Sequence, residues 1–110
     1  MRIKEDKSIF LEHMGDTSQL RVLDFLIENH FFDYPMTEIA KGANVGYFSF
    51  QKVFEVFFDS KILVKTRRIG KSDYFKLNLE HPFVKQIIPV YWGLIKGEIF
   101  KEEFSLVNMN

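Results

Sequence analysis

The spacing of apolar residues changes along this chain, and that change limits what the chain can fold into. From Ile62 to Leu79, apolar and polar residues alternate on both sides of the turn "IGKSD", which predicts a β-hairpin. On either side of this segment, apolar residues recur every three or four positions, which predicts helices. In the helix before the hairpin this spacing predicts a buried face, made of Phe50, Val53, Phe54 and Phe57.

The segment before that helix predicts two more helices. The first covers about residues 17–29 and can be capped by Asp16 or Thr17. Pro35 favours an extended conformation at the residue before it, and we expect Thr37 to cap a short second helix. Residues 42–46 then form a turn that leads into the helix at about 47–60.

The two ends of the chain are predicted with less detail. Residues 1–14 are either a helix that Gly15 stops or a loose arm. The segment from His81 to about Phe104 is helical, with Pro82 suited to its first turn. Pro89 should kink this helix or split it in two. We therefore divide the chain into an N-terminal arm or helix (1–14), a central domain (15–80) and a C-terminal dimerisation helix and tail (81–110).

Several classes of protein are disfavoured by the composition. The 110 residues fit one domain and include no cysteine, which argues against disulfides and thiolate metal sites. The three histidines are far apart, and the carboxylates form no catalytic pair. There is no glycine-rich phosphate loop. We therefore expect no enzyme activity, no catalytic residues, no metal and no cofactor.

Two further features concern location. No apolar run is long enough to span a bilayer, because charged residues interrupt each one. The first ten residues, "MRIKEDKSIF", are too charged for a signal peptide. We expect a cytoplasmic protein with no membrane contact.

Positive charge is concentrated in the middle third of the chain, although the net charge is zero. Residues 41–76 carry eight Lys or Arg against three Asp or Glu, a net charge of +5. Residues 1–40 carry −4 and residues 77–110 carry −1. A basic segment of this kind is either a solvated surface or a contact with nucleic acid.

The order of the elements favours a contact with nucleic acid over a solvated surface. A short helix, a turn and a second helix can hold the polar face of the second helix against the major groove of DNA. Cations near the hairpin turn can neutralise phosphates. The mainly α fold with a β-hairpin therefore predicts a winged helix-turn-helix with a long C-terminal helix. Its expected contacts with double-stranded DNA are Tyr47, Phe48, Ser49, Gln51, Lys52, Arg67, Arg68, Lys71 and Ser72.

Residues 15–88 resemble the small winged-helix transcription regulators of archaea, in the broad ArsR/MarR-like group. The resemblance is carried by "RVLDFLIEN", "TEIAKGANV", "KTRRIGKSDYFKLN" and "HPFVK". It implies a homodimer that binds specific DNA sequences. The second helix departs from that group, because "VGYFSF" replaces its usual polar and basic start. Tyr47 and Phe48 therefore either contact DNA or pack against the short helix or a partner chain.

The last helix has more apolar residues than one chain needs for a core, which predicts a two-fold dimer interface. Its expected interface residues are Phe83, Ile87, Ile88, Tyr91, Leu94, Ile95 and Ile99. The competing interpretation is a monomer in which this helix folds back over the hairpin and the helix at 17–29. Two functional alternatives also stay open: a winged helix that binds another protein, and a centromere or replication-site binder of a plasmid or virus.

Overall fold

The computed structural model describes the backbone of residues 8–107 and the side chains of residues 8–98. In chain order the elements are α1 (Ile9–Met14), α2 (Ser18–Glu28), β1 (Tyr34–Pro35), α3 (Met36–Gly42), α4 (Tyr47–Asp59), β2 (Leu63–Ile69), β3 (Ser72–Leu77) and α5 (Pro82–Val107). Residues 1–7 and 108–110 lie outside the described part.

Helices α1 and α2 begin at hydroxyl caps. The Ser8 side chain accepts a hydrogen bond from the Leu11 amide, and Thr17 accepts one from the Leu20 amide. Such caps satisfy amides that have no partner within the helix. Helix α1 ends at Gly15, whose φ of 104° suits glycine. Of the two alternatives for the N-terminal segment, residues 9–14 therefore form the helix.

The short helix α3 starts one residue before the expected cap. Pro35 occupies the N-cap position without a side-chain hydrogen bond, so the prediction of Thr37 as the cap is wrong. The reason is that Pro35 pairs with Tyr74 in the sheet, and the chain enters the helix directly from this extended position. A second constraint lies at the other end of α3. A Cβ at Gly42 would lie 2.2 Å from the Phe25 ring, so α3 packs closely on α2.

The hairpin belongs to a three-stranded antiparallel sheet in the order β1-β3-β2. Gly70, with φ of 60°, starts the two-residue turn between β2 and β3. The sequence did not predict β1, which has only two residues. A bulge between Lys65 and Arg67 also breaks the expected alternation of β2 at Thr66.

The core lies between the helices and the inner face of the sheet. Phe50 and Phe57 are buried in it as predicted, whereas Val53 and Phe54 are only partly buried and pack against its edge. Phe54 also contacts Phe75 edge-on, with ring centroids 4.9 Å apart. Helix α4 is thereby fixed against both α2 and the sheet. The residues with the largest fully buried side chains are Phe10, Val22, Ile27, Ile39, Phe50, Leu63, Leu77 and Val84.

Helix α5 is continuous over 26 residues, which corresponds to about 39 Å. The prediction that Pro89 splits it is wrong. Proline removes the hydrogen bond to the carbonyl four residues earlier, but Pro89 and Lys85 are both exposed, so water can satisfy that carbonyl. Over the residues that the structure describes, no helix is long and apolar enough to cross a membrane.

Candidate nucleic-acid interface

Helix α4 divides into a buried face and an exposed face. Phe50 and Phe57 anchor it in the core, and this directs Ser49, Gln51 and Lys52 to solvent. The first turn contains no acidic residue, and Gly46 precedes it without a capping side chain. The amides of this turn and the side chains beside them are therefore available to an anionic partner.

The two aromatic residues at the start of α4 have different environments. Tyr47 is 43% exposed, its hydroxyl lies 3.9 Å from Met36 Sδ, and its ring centroid is 6.0 Å from that of Phe50. Phe48 is 72% exposed, and its described ring contact is with Lys52, whose Nζ lies 4.8 Å from the ring centroid. Tyr47 thus packs partly against α3, whereas Phe48 projects into solvent.

Arg67 of the hairpin is held by a carboxylate from the other edge of the sheet. Its Nε and Nη2 donate to the two oxygens of Asp33, each at 2.9 Å, and Thr66 Oγ1 donates to Asp33 Oδ2 at 2.6 Å. The guanidinium also lies 4.9 Å from the Tyr74 ring centroid. Hydrogen bonds from Arg67 and then from Thr66 lower the pKa of Asp33 below its ordinary value. Arg67 therefore ties β2 to the segment before β1.

A second carboxylate binds two more hairpin cations. Asp73 Oδ1 lies 3.0 Å from Arg68 Nη1 and 3.3 Å from Lys65 Nζ. Lys65 and Arg68 share this partner while Arg67 faces Asp33, because the bulge at Thr66 interrupts the alternation between Lys65 and Arg67. Lys65, Asp33 and Asp73 were not among the predicted site residues.

A cleft of about 290 Å³ separates the hairpin turn from the starts of α3 and α4. Lys71 is exposed beside this cleft and forms no ion pair with any residue in the described part of the chain. Three of the predicted DNA contacts line this cleft: Tyr47 from α4, and Lys71 and Ser72 from the hairpin. The lining residues are Pro35, Met36, Thr37, Tyr47, Lys71, Ser72, Asp73 and Phe75.

Comparison with known proteins gives one informative match. Neither a family model nor a curated protein sequence matches the chain. Its fold is similar to that in the crystal structure of NadR in complex with 4-hydroxyphenylacetate, with a TM-score of 0.55 and 17% sequence identity. The similarity covers 89% of this chain and 73% of the NadR chain. The chain has a winged-helix fold. In the nomenclature of winged-helix folds, the β2–β3 hairpin is the wing and α4 is the recognition helix.

The winged-helix fold leaves α5 with two different faces. Tyr91, predicted as an interface residue, is buried within its own chain, 5.2 Å from Phe10 between ring centroids. Burial, followed by the charge of Asp24, raises the pKa of Tyr91. Of the other predicted interface residues, Phe83 is exposed, and the Ile99 side chain lies outside the described residues. The remaining four are partly buried against the core of their own chain: Ile87, Ile88, Leu94 and Ile95.

Helix α5 also exposes Val90 and Trp92, which were not among the predicted interface residues. By helical periodicity Val90 shares a face with the exposed Phe83, whereas Trp92 lies on the other side of the helix, near Lys85 and Lys96. On the same helix, a Cβ at Gly93 or Gly97 would meet no atom within 4 Å. Within residues 83–97, Phe83, Val90, Gly93 and Gly97 therefore share a face of α5 that is separate from the side on which Tyr91 packs against α1.

Proposed function

We propose that this chain is a sequence-specific duplex-DNA-binding protein that acts as a homodimeric transcription regulator and has no catalytic role. The observation that carries the proposal is the recognition helix, whose first turns expose Ser49, Gln51 and Lys52, and whose Tyr47 lines a cleft together with Lys71 of the wing turn. A helix that is anchored in the core on one face and exposes polar side chains in its first turns fits the width of the major groove.

The exposed side chains match the chemistry of duplex DNA. Gln51 can form two hydrogen bonds with adenine, and Lys52 can reach guanine or a phosphate. At the cleft, Lys71 offers a charge, and Thr37 and Ser72 offer hydroxyl groups to a phosphate oxygen. Contacts to phosphates would fix the position of the helix, and contacts to base edges would select the sequence.

The structural similarity to NadR also supports the proposal of DNA binding. The similar structure is that of NadR with 4-hydroxyphenylacetate bound. Helix-turn-helix folds bind DNA with their second helix in the major groove. At 17% identity the shared feature is the fold. We extend to this chain the use of that fold for DNA binding, and leave the identity of the ligand to NadR.

DNA binding can be tested with a labelled random duplex, whose affinity is measured across a salt series. We expect the logarithm of affinity to fall linearly with the logarithm of salt concentration. Lys52→Ala should flatten that slope by about 0.9, the value for one lost phosphate contact. The matched control is Lys96→Ala, an exposed lysine on α5, which should leave the slope unchanged. Salt-independent binding, or none, would contradict the proposal.

The dimer is proposed to form through the exposed face of α5. A two-fold dimer would place two recognition helices on one side, about one DNA turn apart. Val90→Asp should shift sedimentation towards the monomer, because a charge would enter the interface. Val56→Asp is the control, since Val56 on α4 is 57% exposed and Val90 is 51% exposed. Equal effects of the two changes, or a wild-type monomer at micromolar concentration, would argue against this interface.

A second candidate function is a winged helix that binds another protein. It is favoured by the zero net charge and by the exposed Phe31, Phe32 and Phe48. The salt series separates the two candidates, because binding that depends on apolar contacts does not weaken as counterions are added.

A further inference from the structure

We propose that Phe48 recognises the 5-methyl group of thymine in the major groove, so that the protein selects sites with thymine at defined positions. The inference rests on the proposed DNA binding and specifies what the recognition helix would contact.

The first step is the position of Phe48. It lies in the first turn of α4 and is 72% exposed, although the neighbouring Phe50 is fully buried. The N-terminal residues of a recognition helix are those that contact base edges in helix-turn-helix complexes. An aromatic ring at this position therefore lies where a base edge would be.

The second step is how the ring is held. Lys52 Nζ lies 4.8 Å from the centroid of the Phe48 ring, a cation–π arrangement one helical turn along α4. Tyr47, by contrast, has its hydroxyl 3.9 Å from Met36 Sδ and is partly covered. Tyr47 thus supports the helix start, and Phe48 is the ring presented to a partner.

The third step is which partner fits. The Phe48 ring has no hydrogen-bonding group, so it cannot recognise the donors and acceptors of base edges. The thymine methyl is the apolar group that a base pair offers in the major groove. Ser49, Gln51 and Lys52 are exposed on the same first turns of α4, and the first turn has no acidic residue. This polar and basic surrounding matches a groove between phosphates better than an apolar protein surface.

The experiment begins with selection of a binding site from a random duplex library by the full chain. In the selected duplex, each thymine is replaced in turn by deoxyuridine, which lacks only the methyl group. We expect one or two positions at which affinity falls about fourfold, the effect of exposing one buried methyl group. At those positions Phe48→Ala should bind the two duplexes equally.

A matched control is Phe31→Ala, because Phe31 is 75% exposed but lies between α2 and β1. It should keep the full preference for thymine, and Phe48→Leu should keep part of it. If the wild type binds thymine and deoxyuridine equally everywhere, the inference fails while DNA binding stands. Persistence of the preference in Phe48→Ala would also overturn it. If no duplex is selected and binding is independent of salt, the proposed function fails as well.

Discussion

The wing and the recognition helix both carry exposed cations, but the two regions differ in how those cations are partnered. On the wing, Arg67 is bound to Asp33, and Lys65 and Arg68 share Asp73. On the recognition helix, Lys52 forms no ion pair within the described part of the chain and lies over an aromatic ring. A count of charges along the sequence therefore overstates what the wing can offer to DNA. Lys52, the one cation of α4, is more accessible.

The largest effect that would sharpen this comparison is expected at Gln51. If α4 makes the base contacts, Gln51→Ala should lose about 1–3 kcal/mol at the selected site and little on random duplex. The reason is that a bidentate contact with adenine discriminates between bases, whereas phosphate contacts do not. Affinities for the two duplexes, measured side by side by fluorescence anisotropy, check this. Equal losses on both duplexes would remove the distinction between the two regions.

The next effect concerns the shared carboxylate of the wing. Asp73→Asn should release Lys65 and Arg68, raise the affinity for random duplex severalfold and steepen the salt slope by up to about two units. Asp59→Asn, at the exposed end of α4, removes the same charge elsewhere and serves as the control. If the two variants behave alike, only net charge matters, and Asp73 does not limit the wing cations.

A smaller effect separates two cations of the same hairpin. Lys71→Ala should flatten the salt slope by about 0.9, because Lys71 is available at the turn. Arg67→Ala should change it little, since Asp33 already neutralises Arg67. The same salt titration applied to both variants tests this pair. A larger change for Arg67 than for Lys71 would show that DNA displaces Asp33.

The smallest effect is on stability at low pH. Because the pKa of Asp33 is lowered, its link to Arg67 stabilises the fold above the ordinary Asp pKa of about 3.9, and that contribution is lost as the pH falls through the lowered value. Thermal melting of wild type and Asp33→Asn should differ by a constant amount between about pH 5 and pH 8. The difference should shrink below about pH 4.

Arg67→Met provides the control for this measurement, because it removes the partner that holds Asp33 ionised. It should lose stability over the same pH range as Asp33→Asn. A difference between wild type and Asp33→Asn that stays constant down to pH values well below the ordinary range would mean that the carboxylate link is not the cause.

The sequence predicted the elements with long, regular apolar spacing and missed those set by distant contacts. Helices α2 and α4, the hairpin and α5 follow from local patterns. Strand β1 has only two residues, and it exists because Tyr34 pairs with Phe75, 41 positions away. No local pattern reveals such a pairing.

The residues of the candidate site were likewise predictable only where a local sequence pattern determines their position. Exposure of Ser49, Gln51 and Lys52 follows from the period of α4. The bulge at Thr66, whose hydroxyl donates to Asp33 across the sheet, does not follow from the local sequence pattern. For α5, spacing alone could not show which apolar residues its own chain would cover. Only the tertiary structure shows which apolar residues of α5 are covered and which are exposed.

The angle of the recognition helix depends on the contact between Gly42 and Phe25, where a glycine without a Cβ allows α3 to pack closely on α2. Helix α3 rests on the ring of α2 with no room for a Cβ, and α4 follows α3 after a turn of four residues. Any larger residue at position 42 would push α3 away from α2 and would thereby displace α4. In the proposed homodimer the same displacement would occur in both chains and would change the distance between the two recognition helices, although position 42 lies outside the proposed DNA contacts.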